Sequence, residues 1–147
     1  MKIMLLGSNG QVGSELKRKL SSLDEILAFS RDTLDITNYK AVEREIEIFE
    51  PNIVINAAAY TSVDKAETEV NEAYEVNFKA VSNLAYLAKT KKAWLLHYST
   101  DYVFDGRKCS SYIEADNCLP INIYGASKLS GEKAISKSQC NHLIFRT

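Results

Sequence analysis

The sequence predicts an α/β domain built on a doubly wound parallel sheet. Three observations carry this reading. Short apolar runs alternate with helix-periodic segments from the first residue onward. The apolar runs are continuous rather than alternating, as in strands buried on both faces. A glycine-rich loop joins the first apolar run to the first helical segment.

Residues 2–7 form the first predicted strand, which stops at Gly7. Residues 11–20 carry Val12, Leu16 and Leu20 at i, i+4 and i+8, one face of a helix. Residues 25–30 read as a second strand. Residues 38–49 read as a helix with Val42, Ile46 and Phe49 on one side, and Pro51 ends the pattern. Residues 52–59 are a third, apolar strand. A long helix is predicted over 65–90, striped by Val70, Ala73, Val81, Leu84 and Ala88. Asp64 and Glu67 have the spacing of a capping box, with Asp in place of the usual Ser or Thr. Residues 93–99 are a fourth strand. Residues 100–123 hold Gly, Asp, Asn, Ser and Pro and read as a long functional loop. Residues 124–136 are helical and 142–147 form a fifth strand. Right-handed crossovers wind these elements into a Rossmann-like sheet, with 3-2-1-4-5 as the expected strand order. The whole of 1–147 is read as one domain. A sheet of this kind ordinarily has a sixth strand, so the chain is expected to be truncated before the last strands.

Bulk properties narrow the function. The chain has 147 residues, with 46% hydrophobic and 25% charged residues and a net charge of −1. A nearly neutral chain has no general attraction to nucleic acid or to an anionic membrane. The cluster of Lys89, Lys91 and Lys92 reads as a solvated helix end. No apolar run reaches the length of a membrane span, and the N-terminal stretch passes directly into a glycine loop, with no room for a signal peptide. A cytoplasmic location is expected. The three cysteines, Cys109, Cys118 and Cys140, form no CxxC pair and suggest neither a disulfide framework nor a zinc site. His97 and His142 lie far apart in strand-like runs, so no metal site is expected. An exposed strand edge would favour self-association, which leaves a homodimer open.

Gly7, Gly10 and Gly13 occupy a GxxGxxG spacing between a strand and a helix. The first permits a tight turn, the second lets backbone approach a pyrophosphate, and the third lets helix and strand pack closely. The helix start then offers N–H groups to the phosphates. The second strand should end on the residue that reads the adenosine ribose. Ser30 and Arg31 stand there. An arginine suits the 2′-phosphate of NADP, so NADP is favoured. Asp32 is adjacent, so NAD stays open.

Tyr124 and Lys128 form a YxxxK pair at the start of a helix, where i and i+4 share a face. A lysine cation and an oxidised nicotinamide would lower the tyrosine pKa and suit it to proton transfer at a carbonyl oxygen. Thr100, just past the fourth strand, would donate to the same oxygen. Strand carboxyl ends are where such sheets bind ligands. Asn77 falls on the stripe of the long helix and needs buried partners. A main-chain carbonyl near the fourth strand, a water behind Lys128, or a purely structural role would each satisfy it.

Four segments carry a family resemblance: Gly7 to Gly13, Val54 to Glu67, His97 to Gly106 and Tyr124 to Glu132. Together they resemble the extended short-chain dehydrogenase/reductases, and among them the dTDP-4-dehydrorhamnose reductases. The resemblance covers all 147 residues. It implies that Gly7, Gly10, Gln11 and Val12 contact the pyrophosphate and that Asp35 and Ile36 lie near the adenine. It implies that Ala57, Ala58 and Ala59 pass beneath the cofactor, bordered by Tyr60. Thr100, Tyr124 and Lys128 would be catalytic, with Lys128 also bonding the nicotinamide ribose. Thr61, Val63 and Tyr102 would touch a dTDP-sugar, whose C4 ketone is reduced to give dTDP-L-rhamnose. The family's C-terminal substrate region is absent from this chain, so little activity is expected of it alone. Another nucleotide-sugar reductase or epimerase, or a non-catalytic subunit similar to that of methionine adenosyltransferase, are the competing readings. An intact Thr100, Tyr124 and Lys128 set favours chemistry.

Overall fold

In the computed structural model, which describes residues 1–22 and 25–147, five parallel strands form one sheet. They are β1 (Lys2–Leu6), β2 (Glu25–Phe29), β3 (Ile53–Asn56), β4 (Trp94–Ser99) and β5 (Asn141–Arg146). Helices α1 (Gln11–Leu20), α2 (Tyr39–Phe49) and α6 (Ile123–Ser138) and a broken helix made of α3 (Val63–Ala66), α4 (Val70–Tyr74) and α5 (Ala80–Lys91) connect them. Met4, Val54 and Leu95 share one row across the sheet, and Leu5, Ile55 and Leu96 share the next. Side chains alternate faces along each strand. Met4, Leu6, Val54 and Leu95 therefore meet Val42 and Ile46 of α2, Val81 and Leu84 of α5 and Ile135 of α6. Ile3, Leu5 and Ile55 meet Leu16 and Leu20 of α1 on the other face. Each such fully buried side chain contributes roughly 1.5–3 kcal/mol.

The winding is as predicted, but the order, β2-β1-β3-β4-β5, matches 3-2-1-4-5 only loosely. The third strand lies beside β1, not outside β2. Burial explains the choice. Val54, Ile55 and Asn56 are buried, whereas every residue of β2 is partly or fully exposed. The most apolar strand takes a central place and β2 takes the edge.

The predicted helix over 65–90 is in fact α3 (Val63–Ala66), α4 (Val70–Tyr74), a π-turn (Glu75–Lys79) and α5 (Ala80–Lys91). The stripe stays in phase across the π-turn, with Ala73 and Asn77 buried on its near side. Val81, Leu84 and Ala88 are buried, while Val70 is exposed at the start of α4. The capping box does not form. Asp64 lies inside α3, whose N-cap Ser62 makes no side-chain cap. Glu67 instead accepts from the Ile123 N–H at 2.8 Å, at the start of α6. On the α1 face the outer strands are thinly covered. Leu143 and Phe145 are exposed, and Phe145 stacks on Tyr98 at 5.5 Å. Among the described residues, no helix is long and apolar enough to cross a membrane.

Candidate active site

All five strands point the same way, so the loops after β1, β2, β3 and β4 converge at one end. The β2 to β3 crossover passes over β1 and opens a crevice between β1 and β3. A cleft of about 700 Å³ lies there. Gly7, Gly10, Gln11 and Val12 form one wall and Ala57, Ala58, Ala59, Tyr60 and Thr61 another. Arg31, Asp35 and Ile36 line it beyond the end of β2.

Backbone geometry explains the glycines. Gly7 has φ of +81°, and a Cβ there would lie 2.5 Å from the Ala58 nitrogen. A Cβ on Gly13 would lie 2.1 Å from the Gly7 carbonyl oxygen. Gly13 is buried and supports the loop from below without lining the cleft. Gly10 differs. A Cβ there meets only the Gly7 oxygen, at 3.5 Å, an ordinary contact. Protein packing does not require glycine at that position, but the cleft it faces would be narrowed by any side chain. Gly10 is also the N-cap of α1, with no side-chain cap bond and no acidic residue in the first turn. Among the described residues no side chain caps the helix start, so the site suits an anion.

Asn56 turns the chain after β3 by accepting from the Ala58 N–H at 3.1 Å. The three alanines that follow keep the cleft floor low. At the far rim, the Arg31 guanidinium lies 3.6 Å from Asp35 and 3.5 Å from Glu72 of α4. Asp35 accepts from the Thr37 N–H and hydroxyl at 2.9 and 2.8 Å, and the Thr37 amide bond is the chief cause that lowers its pKa. Ser30 does not line the cleft. It forms a turn in which its N–H donates to the Thr33 hydroxyl at 2.9 Å.

Thr100, Tyr124 and Lys128 are buried together just beyond β4, outside the lining of the cleft. Tyr124 joins the cleft through a small apolar cluster that includes Tyr60 and Val63. Tyr102 stands edge-on to Tyr124, with ring centroids 5.6 Å apart. Thr100 caps a 3₁₀ turn over Asp101–Val103 by accepting from the Tyr102 N–H at 3.2 Å. Burial raises the Tyr124 pKa, a hydrogen bond from Thr100 opposes this, and Asp101 and Tyr102 add to the rise. The predicted lowering by Lys128 is absent. The Lys128 ammonium donates instead to the Tyr98 carbonyl oxygen of β4 at 2.6 Å. Burial brings its own pKa down to about 8, against a smaller opposing effect from Glu132. Tyr124 is therefore held protonated, the state a proton donor needs.

Asn77 sits in the π-turn, fully bonded. Its side-chain oxygen accepts from the Tyr60 N–H at 2.9 Å, and its amide donates to the Tyr60 carbonyl and the Ser127 hydroxyl, both at 3.0 Å. Its carbonyl partner follows β3 rather than lying near β4. Asn77 thus ties the cleft rim to the helix that carries Tyr124 and Lys128.

Several residues beside the site escaped sequence reasoning. Glu132 accepts from Ser99 at 2.5 Å and takes both arms of Arg146, at 3.0 and 2.7 Å. Its i+4 spacing from Lys128 was the available signal. His97 is buried, and its Nδ1 accepts from the Asn56 amide at 3.1 Å. Burial, then Lys128, lowers its pKa, so it is neutral. Glu72 meets Arg31 from a separate helix, and no local spacing announces it.

Comparisons with known proteins agree with this geometry. The profile of the RmlD substrate binding domain matches residues 1–147. The chain is 48% identical to a dTDP-4-dehydrorhamnose reductase of Burkholderia thailandensis over 147 residues, all of this chain and 49% of that protein. It is 43% identical to the Escherichia coli K12 enzyme of the same name, covering all of this chain and 50% of the relative. The dTDP-4-dehydrorhamnose reductase of Bacillus anthracis, solved in complex with NADP, superposes with a TM-score of 0.95 at 39% identity, over 99% of this chain and 52% of that one. A reductase ortholog from Clostridium acetobutylicum gives 0.96 at 39% identity, over 99% and 52% of the two chains. The chain spans about half the length of these relatives. With the glycine loop, the alanine floor and the buried Thr100, Tyr124 and Lys128 all in place, the chain belongs to the RmlD substrate binding domain family.

Proposed function

We propose that this chain is the cofactor-binding and proton-donating half of a cytosolic dTDP-4-dehydrorhamnose reductase. The observation that carries the reading is one of placement. A cleft floored by Ala57 to Ala59 and a buried set of Thr100, Tyr124 and Lys128 lie at the same end of the sheet, joined through Asn77. NADPH is the favoured cofactor and NADH the alternative.

In this reading Gly7, Gly10, Gln11 and Val12 hold the pyrophosphate, with the start of α1 supplying N–H donors. Asp35 and Ile36 border the adenine, and Arg31 faces the ribose. When bound, the reduced nicotinamide supplies a hydride for C4 of the sugar. Tyr124 gives its proton to the ketone oxygen as the carbon is reduced, so that an alcohol forms and a phenolate remains. Thr100 donates to the same oxygen and holds it near the phenol. The Lys128 ammonium, fixed by the Tyr98 carbonyl, stabilises the phenolate after transfer. Lys128 would also bond the nicotinamide ribose. Thr61, Val63 and Tyr102 form the near side of the sugar site, and the other side comes from the part of the relatives this chain does not span.

The test is a calorimetric titration with NADPH and with NADH, followed by NADPH oxidation in the presence of dTDP-4-dehydrorhamnose. The reading expects saturable binding and only trace turnover, lost in Tyr124→Phe. Binding of neither nucleotide would contradict it. So would turnover near an ordinary enzymatic rate of about 10 per second from this chain alone.

A further inference from the structure

Arg31, at the far rim of the cleft, has two anionic partners. Asp35 follows β2; one of its oxygens faces Arg31 and the other is held by Thr37. Glu72 comes from α4 and has no other hydrogen-bond or ion-pair partner among the described residues. Both members of the Arg31 and Glu72 pair are substantially exposed, at 74% and 48% of their side chains, so the contact can open without a packing cost. Glu72 also lies close enough to Tyr60, on the cleft wall, to act on its phenol.

We propose that Glu72 sets the cofactor preference of this cleft by competing with the 2′-phosphate of NADPH for Arg31. The inference rests on the reading that the cleft takes a nicotinamide dinucleotide. The 2′-phosphate carries a charge of about −1.5 to −2 at neutral pH and prefers a planar guanidinium partner. To reach Arg31 it must displace the Glu72 carboxylate. NADH brings a neutral hydroxyl to the same place and leaves the Arg31 to Glu72 contact intact. Glu72 therefore opposes NADPH and is indifferent to NADH. Asp35 is less able to yield, because Thr37 holds it.

The experiment is a calorimetric titration of wild type, Glu72→Gln, Arg31→Ala and the double variant with NADPH and with NADH at low salt. Glu72→Gln is expected to bind NADPH roughly fivefold more tightly, the upper range for an exposed ion pair, with NADH affinity unchanged. The gain should shrink at high salt and vanish in the Arg31→Ala background. Glu72→Ala serves as a second variant, and far-UV circular dichroism checks that each folds. An equal change for both nucleotides, no change for NADPH, or a gain that survives Arg31→Ala would overturn the inference while leaving the cleft assignment standing. Failure of wild type to bind either nucleotide would overturn the assignment, and the inference with it.

Discussion

Replacing Lys128 with methionine isolates the cost of burying an ammonium against the Tyr98 carbonyl. Lys128 is 1% exposed, and its pKa falls from 10.5 to about 8. That displacement corresponds to roughly 3 kcal/mol of penalty on the charged form in the folded state. The sign follows from proton counting. Between the folded and unfolded values the unfolded chain binds more protons, so stability rises with pH across that window. The penalty is fully present below about pH 8 and is gone above the unfolded pKa. Methionine fills a similar volume and cannot titrate. Urea unfolding of both proteins, followed by far-UV circular dichroism, gives their stability difference at each pH. Wild type should gain about 2 kcal/mol on Lys128→Met between pH 7 and pH 9.5. His97 titrates well below this window and does not blur it. A difference that stays flat, or that falls with pH, would refute the claim that burial governs the Lys128 ammonium.

Two further outcomes follow from the geometry. Gly7→Ala places a Cβ 2.5 Å from the Ala58 nitrogen at a positive φ. It should destabilise the chain by at least about 1–3 kcal/mol in urea unfolding, the cost of strained backbone. Glu132→Ala leaves Arg146 and the Ser99 hydroxyl without their partner in a mostly buried site. The expected loss is about 2–4 kcal/mol, less than for a fully buried pair because Arg146 keeps some contact with water.

What could be read from the sequence depended on how local each cause was. The glycine loop is legible because strand, loop and helix lie within the first twenty residues; a side chain at Gly13 meets the Gly7 backbone, although one at Gly7 meets the distant backbone of Ala58. The strands were legible from their continuous apolar character. Their order was not, because right-handed crossovers permit a third strand outside β2 or beside β1, and only comparative burial separates the two. The helix over 65–90 reads as unbroken because Ala73, Asn77, Val81, Leu84 and Ala88 keep helical spacing straight through the π-turn. Within that turn Asn77 bonds the backbone of Tyr60, seventeen residues earlier. Glu67 fitted a local cap on paper, yet its partner is Ile123, fifty-six residues away. Tyr124 and Lys128 were recognisable by spacing. The Tyr98 carbonyl that takes the Lys128 ammonium belongs to another element, and no local spacing announces it.

The central claim is that the glycine-loop cleft is a dinucleotide site rather than a tightly packed turn. Gly10→Ala separates these most directly, because the added methyl meets only an ordinary 3.5 Å contact within the protein. Calorimetric titration of wild type and Gly10→Ala with NADPH and NADH is the measurement, with urea unfolding as the control. Wild type should bind, and Gly10→Ala should keep its stability within about 1 kcal/mol while losing at least about tenfold in affinity, the equivalent of 1.4 kcal/mol. Undiminished binding by Gly10→Ala, or no binding by wild type, would contradict the claim.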